Sequence, residues 1–134
     1  MIAPRVVLVA EDDVFVRNLI NTVLTRAGYS VLLAADGKEA LELSRHFAGE
    51  IHLLLSDVMM PGIDGLKLAA QIHQERPGTR ALLISGKTSS EIVQGNVLFD
   101  FLAKPFVPAQ LKAKLDEIMN RDSGGRDFPA MEEI

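Results

Sequence analysis

Hydrophobic and polar positions along the chain fall into two kinds of segment that alternate. Val6-Val7-Leu8-Val9-Ala10 is a short, continuous apolar run rich in β-branched residues, ended by an acidic cluster, Glu11-Asp12-Asp13. Unalternating runs of this kind predict strands covered on both faces of a sheet. Next, Val16, Leu19, Ile20, Val23, Leu24 and Ala27 recur at helical spacing, and Gly28 stands where a glycine closes a helix. Ser30 to Ala35 predicts a second strand, and Lys38 to Ala48 a helix with Ala40, Leu41, Ser44 and Phe47 on one face.

The alternation continues. Ile51 to Ser56 is apolar apart from His52 and ends at Asp57, while Pro61-Gly62 breaks the chain before Asp64, a residue suited to cap a helix. That helix runs through Leu66, Ala69, Ala70 and His73 to Pro77-Gly78. Arg80 to Ser85 and Val97 to Ala103 predict two more strands, with only Thr88 to Gly95 left for a short helix between them. A last helix starts near Pro108 and turns Leu111, Leu115, Ile118 and Met119 inward. Strand followed by helix, five times over, predicts right-handed crossovers and a doubly wound parallel α/β sheet, (βα)5, with helices on both faces. After Met119 the composition changes to Asn-Arg-Asp-Ser-Gly-Gly-Arg, so the expected organisation is a domain over residues 1–121 and a flexible tail over 122–134.

Composition narrows the class. In 134 residues there are 14 basic and 18 acidic side chains, a net charge of −4, which argues against direct nucleic-acid binding as the main task. With no cysteine, disulfides, thiolate metal sites and cysteine nucleophiles are excluded. No apolar run approaches the ~18 residues of a membrane span, and Met1-Ile2-Ala3-Pro4-Arg5 lacks a signal-peptide pattern. The expectation is a single cytoplasmic domain without membrane contact.

The chemistry is expected at the carboxyl ends of the strands, where open parallel sheets bind ligands. The residues that follow each strand are Glu11, Asp12 and Asp13, then Asp57, then Ser85 and Gly86, then Lys104 and Pro105. Asp13 is better placed to cap the first helix than to join a site. Several carboxylates at one rim repel unless a cation is present, and an all-oxygen set suits Mg²⁺. One carboxylate can then act as a nucleophile toward phosphorus, with the metal, Lys104 and the Ser85 hydroxyl neutralising charge. Gly86-Lys87-Thr88 imitates the end of a nucleotide-binding loop, but Ala81 stands where that loop requires glycine. His46, His52 and His73 show no ligand spacing and read as surface or sheet-flank residues.

Four segments together carry a family resemblance: Val-Leu-Val-Ala-Glu-Asp-Asp with Arg17 following, Leu-Leu-Ser-Asp-Val-Met-Met-Pro-Gly-Ile-Asp-Gly, Leu-Leu-Ile-Ser-Gly, and Phe-Leu-Ala-Lys-Pro-Phe. From Arg5 to Arg121 the chain resembles the receiver domain of two-component response regulators. The resemblance implies a flavodoxin-like sheet with strand order 2-1-3-4-5 and a cis Lys104-Pro105 peptide. It implies that Asp57 accepts phosphate from a phosphohistidine on a histidine kinase or a histidine phosphotransfer protein. Asp12 and Asp57 would ligate Mg²⁺ directly, Glu11 through water, and Met59 through its backbone carbonyl. Ser85 and Lys104 would contact the phosphoryl group, and Ser85 with Phe101, at the switch aromatic position, would pass the change to a protein-interaction surface.

Such a domain is a signalling phosphoacceptor that promotes its own phosphotransfer and autodephosphorylation, as a monomer or a weak dimer on phosphorylation, with an unknown downstream protein. Three features depart from the commonest pattern: the short fourth helix, as in receivers of hybrid sensor kinases, Phe101 without a hydroxyl, and thirteen residues after 121, too few for a DNA-binding module. Lys87 is a candidate for tuning hydrolysis of the phosphoryl group. An alternative is a phosphorylation-independent interaction module of the same fold. A phosphohydrolase would want a second acid two residues after the nucleophile, where Met59 stands.

Overall fold

A computed structural model describes residues 3–86 and 99–121. Its elements are β1 (Val6–Ala10), α1 (Val14–Arg26), β2 (Ser30–Ala34), α2 (Gly37–His46), β3 (Leu53–Asp57), α3 (Gly65–Glu75), β4 (Arg80–Ser85), β5 (Asp100–Ala103) and α4 (Pro108–Asn120). The five strands form one parallel sheet in the order β2-β1-β3-β4-β5. This is the doubly wound, flavodoxin-like arrangement that the alternation and the resemblance predict. The expected short helix, Lys87 and the tail beyond residue 121 lie outside the described residues, as do Val97 and Leu98 of the expected fifth strand.

Alternation along each strand divides the core into two layers. Leu8, Leu54 and Leu83 face α2 and α3 together with Ala40, Leu41, Leu68 and Ile72. Val7, Val9, Leu53, Leu55, Leu82 and Ile84 face α1 and α4, meeting Ile20, Leu24, Leu111, Leu115 and Ile118. All five residues of β1 and of β3 are buried, as two-sided cover requires. The edge strands differ from expectation: Leu33 on β2 is exposed, and no residue of β5 is fully buried. Each edge strand has a neighbour on one side only, and its outer residues meet solvent. In α3 the buried stripe is Gly65, Leu68, Ala69 and Ile72, with Ala70 and His73 outside it.

Helix ends are set by short side chains. Asp13 accepts from the Phe15 and Val16 amides at 2.8 and 3.1 Å, Asp36 from Glu39 at 2.8 Å and Asp64 from Lys67 at 2.8 Å. These aspartates satisfy amides that a helix start leaves without partners. Gly28 closes α1 at φ +95°, and the Tyr29 amide returns to the Leu24 carbonyl at 3.0 Å. His52 flanks the sheet, where its Nδ1 accepts from the Val6 amide at 2.9 Å.

Arg76, at the end of α3, ties the turn after α2 to the body. Its guanidinium donates to Ser44 Oγ (2.9 Å) and to the carbonyls of Ser44 (2.7 Å), Phe47 (2.7 Å) and Gly49 (2.9 Å). Arg76→Ala leaves these acceptors short of a donor and is expected to destabilise by about 2 kcal/mol, read as a lower urea midpoint at unchanged slope. Arg76→Lys recovers less than half of that loss, because a point donor cannot span a fork.

Candidate functional site

Strand register assembles the site. Ala10 pairs with Ser56, which sets the next residues, Glu11 and Asp57, side by side beyond the ladder of β1 and β3. Asp57 pairs with Ile84, so Ser85 stands one step further on the neighbouring strand. Ser85 pairs with Ala103, and the Lys104 amide donates to the Ser85 carbonyl at 2.7 Å. Four adjacent strand ends therefore deliver four polar side chains to one rim without any long-range loop.

The side chains meet there. Carboxylate oxygens of Glu11, Asp12 and Asp57 lie within 4.8 Å of one another. The Lys104 ammonium donates to Asp57 Oδ2 at 2.7 Å and lies 3.5 Å from Glu11 Oε1. Asp57 Oδ1 accepts from the Met59 amide at 3.1 Å, and Glu11 Oε2 from the Asp13 amide at 3.0 Å. Glu11 and Ser85 are fully buried and Asp57 nearly so, whereas Asp12 is exposed at the mouth. Among the described residues, neither Glu11 Oε1 nor Ser85 Oγ has a hydrogen-bond partner.

Electrostatics follow from burial and crowding. Desolvation pushes the Glu11 carboxyl up to about 7, against the pull of the Asp13 amide, and the Asp57 charge adds to the rise. Burial works against the Lys104 ammonium, but its hydrogen bond to Asp57 and the charges of Glu11 and Asp57 outweigh that, so its pKa stands above the ordinary value. Among the described residues, the rim carries more acids than cations. The donor set among the described residues is three carboxylates, all oxygen, which fits a hard divalent cation such as Mg²⁺.

Of the sequence candidates, Glu11, Asp12, Asp57, Ser85 and Lys104 converge. Asp13 caps α1, as expected. The Met59 side chain is exposed, and its backbone amide donates to Asp57. Phe101, half-buried on β5, packs against the α2 and α3 layer of the core. The Lys104–Pro105 peptide is cis. One contributor was legible only as a motif letter: Arg17 Nη1 donates to the Glu11 carbonyl at 2.8 Å and holds the acidic turn against α1. An apolar groove of about 370 Å³, lined by Val16, Leu19, Pro105 and Phe106, opens beside Lys104. Another cavity, of about 470 Å³, lies at the opposite end of the sheet, where Arg5 and Arg80 donate to carbonyls at the end of α4.

Residues 7–116 match the response regulator receiver domain family. The chain belongs to that family. Sensor kinase CckA of Brucella abortus (strain 2308) is 33% identical over 118 residues, which cover 86% of this chain and 12% of the kinase. Response regulator MprA of Mycobacterium sp. (strain KMS) is 37% identical over 133 residues, 96% of this chain and 57% of the regulator. The receiver thus spans about half of one curated relative and a small part of the other. Chemotaxis response regulator CheY4 of Vibrio cholerae superposes with a TM-score of 0.76 at 30% identity, covering 86% of this chain and 98% of that one. The chain is accordingly a receiver domain of the two-component class, and its acidic pocket is of the kind that serves a phosphoacceptor aspartate and Mg²⁺.

The Lys104–Asp57 contact is open to a double-mutant cycle. Lys104→Met, Asp57→Asn and the pair together are expected to give a coupling energy of about 2 kcal/mol in urea melts of the metal-free receiver. Coupling near zero means that the ion pair contributes nothing to the rim.

Proposed function

We propose that Asp57 is the phosphoacceptor and takes its phosphoryl group from a phosphohistidine on a sensor kinase or a histidine phosphotransfer protein. The observation that carries this reading is the setting of Asp57. It is buried, with one carboxylate oxygen held by the Met59 amide and the other by the Lys104 ammonium, and two further acids lie beside it. Asp12, Asp57 and the Met59 carbonyl would hold Mg²⁺ directly and Glu11 through a water, a role open to Glu11 Oε1, which lies 3.5 Å from the Lys104 ammonium and accepts no hydrogen bond among the described residues. When bound, the ion neutralises carboxylate charge and the charge of the transferring group.

The receiver's own residues then divide the work. An Asp57 carboxylate oxygen forms a bond to phosphorus as the bond from phosphorus to the donor imidazole nitrogen breaks. The electron pair leaves with the imidazole, which takes up a proton. The Met59 amide orients the attacking carboxylate. Lys104, already within hydrogen-bond distance of Asp57, transfers its donors to the phosphoryl oxygens, and the buried Ser85 hydroxyl turns toward the same group. Both are electrostatic aids that develop their full strength as charge accumulates. Movement of Ser85 frees space on β4, and Phe101 on the adjacent strand repacks and changes the surface read by a downstream protein. Full switching requires the phosphoryl group to favour one state by ~5.5 kcal/mol.

The same proposal includes slow loss of the phosphoryl group to water. It also takes the domain to close at Arg121, whose guanidinium pairs with Asp100 at 3.0 Å, and residues 122–134 to form a tail. A monomer, or a weak dimer on phosphorylation, in the cytoplasm completes the reading. Among the described residues no helix is long and apolar enough to cross a membrane. The acid trio counts against a phosphorylation-independent module, which would have no use for its repulsion.

Incubation with acetyl phosphate and Mg²⁺ is expected to add the mass of one phosphoryl group, labile and absent in Asp57→Asn. Lys104→Ala should slow the gain about a hundredfold. Sustained turnover of added phosphoesters would instead make the protein a phosphohydrolase. Mg²⁺ alone, at a hundred times its dissociation constant, is expected to raise stability by about 2.7 kcal/mol. Asp12→Asn should abolish that gain, and chelation should reverse it.

A further inference from the structure

The segment from Val58 to Asp64 links the phosphoacceptor strand to α3 and carries Met59. Gly65 opens α3 directly after its cap, Asp64, and Gly37 opens α2 directly after Asp36. Neither glycine has a left-handed backbone, so conformational freedom is not what these positions require. Space is. A Cβ on Gly65 would lie 2.2 Å from the Asp57 carbonyl oxygen, 2.8 Å from Val58 Cα and 2.9 Å from the Asp57 carbonyl carbon. All three are backbone atoms, which cannot turn aside as a flexible side chain does.

The two peptides that flank the Val58 Cα are held from several sides. The Val58 amide donates to Ile84 on β4 at 2.9 Å, and the Gly65 amide donates to the Val58 carbonyl at 2.8 Å. Ser56 Oγ donates to the Asp57 carbonyl at 2.9 Å. At the far end of the segment, a Cβ on Gly37 would lie 3.0 Å from both Cβ and the carbonyl oxygen of Ile63. Gly62, between them, is different: it takes φ +77° and a Cβ there would meet nothing within 4 Å. One glycine of the segment serves a turn, while the two helix openers serve close approach.

We infer that Gly65, and Gly37 more weakly, are positioning residues that set the Asp57 carboxylate and the Met59 backbone by pressing bare Cα atoms against the phosphoacceptor segment. The inference rests on the reading of Asp57 as phosphoacceptor and gives it a second layer. In Gly65→Ala the methyl group displaces the peptide that carries Asp57. In Gly37→Ala the displacement reaches the same segment through Ile63 and is smaller.

The test uses the full chain in three forms, with Ile118→Val as a remote comparison. Ile118 is buried against α1 and the opposite sheet face, and urea brings its variant to the stability of the glycine variants. Amide resonances of Val58 and Met59 are expected to move in Gly65→Ala and, less far, in Gly37→Ala. Mg²⁺ affinity should fall about tenfold in Gly65→Ala, the scale on which outer partners tune a metal site. Phosphorylation by acetyl phosphate should slow by about a hundredfold. Ile118→Val at matched stability should retain both.

Wild-type resonances and affinity in the glycine variants overturn the inference, as does an equal loss in matched Ile118→Val. Should Gly65→Ala fail to fold, Gly37→Ala carries the same comparison. A wild-type chain that takes no phosphoryl group would count against the functional reading, and the Val58 and Met59 resonances would still decide the positioning.

Discussion

Among the described residues, three carboxylates and one ammonium share the rim, and the packing around them has to hold that imbalance. Asp57 and Lys104 are in contact at 2.7 Å, but Glu11 and Asp12 have no second cation among the described residues within the site. Bringing like charges together in a partly desolvated place opposes folding. Burial, with a smaller addition from the Asp57 charge, pushes the Glu11 carboxyl up to about 7. A site with this composition gains from any arriving positive charge, and it binds an anionic group only together with one. The opposing energy must be met elsewhere, and the two apolar layers of the doubly covered sheet supply it.

Precision comes from the backbone and not from the side chains. Asp57 and Ser85 end, and Glu11 and Lys104 directly follow, strands whose neighbours are fixed by parallel ladders, so their spacing is inherited from strand separation. A slip of one residue would turn Leu54 from the α2 and α3 layer into the α1 and α4 layer, and each of its neighbours likewise. Burial of β1 and β3 on both faces makes such a slip prohibitive. The register that protects the core therefore also aims the acids.

This coupling explains how far the residues could be read without coordinates. An apolar run that ends in an acid carries both facts in adjacent letters, which made the rim residues and the inward face Leu111, Leu115, Ile118 and Met119 legible. The order of strands came from family resemblance, because periodicity is blind to which strands are neighbours. Edge exposure on β2 and β5 is invisible to periodicity for the same reason. Arg76 and Arg17 act on carbonyls of segments distant in sequence or hidden by a turn, and no spacing rule marks an arginine for a backbone partner. Gly65 carries a fainter sign. Glycine is a poor helix former, so its place at the first turn after a cap implies that a methyl group is not tolerated.

The relatives separate what the rim determines from what it leaves open. One is a sensor kinase of which the matching segment is 12%, and another is a response regulator of which it is 57%. The matching segment thus stands in chains of very different length, and the described rim residues all lie within it. Its acids, its ammonium and the glycines that seat them all lie between Glu11, directly after β1, and Lys104, directly after β5. Output has no comparable constraint. It is read from exposed faces, where a substitution disturbs neither register nor charge balance, so partner choice can diverge while the rim stays fixed by the packing beneath it.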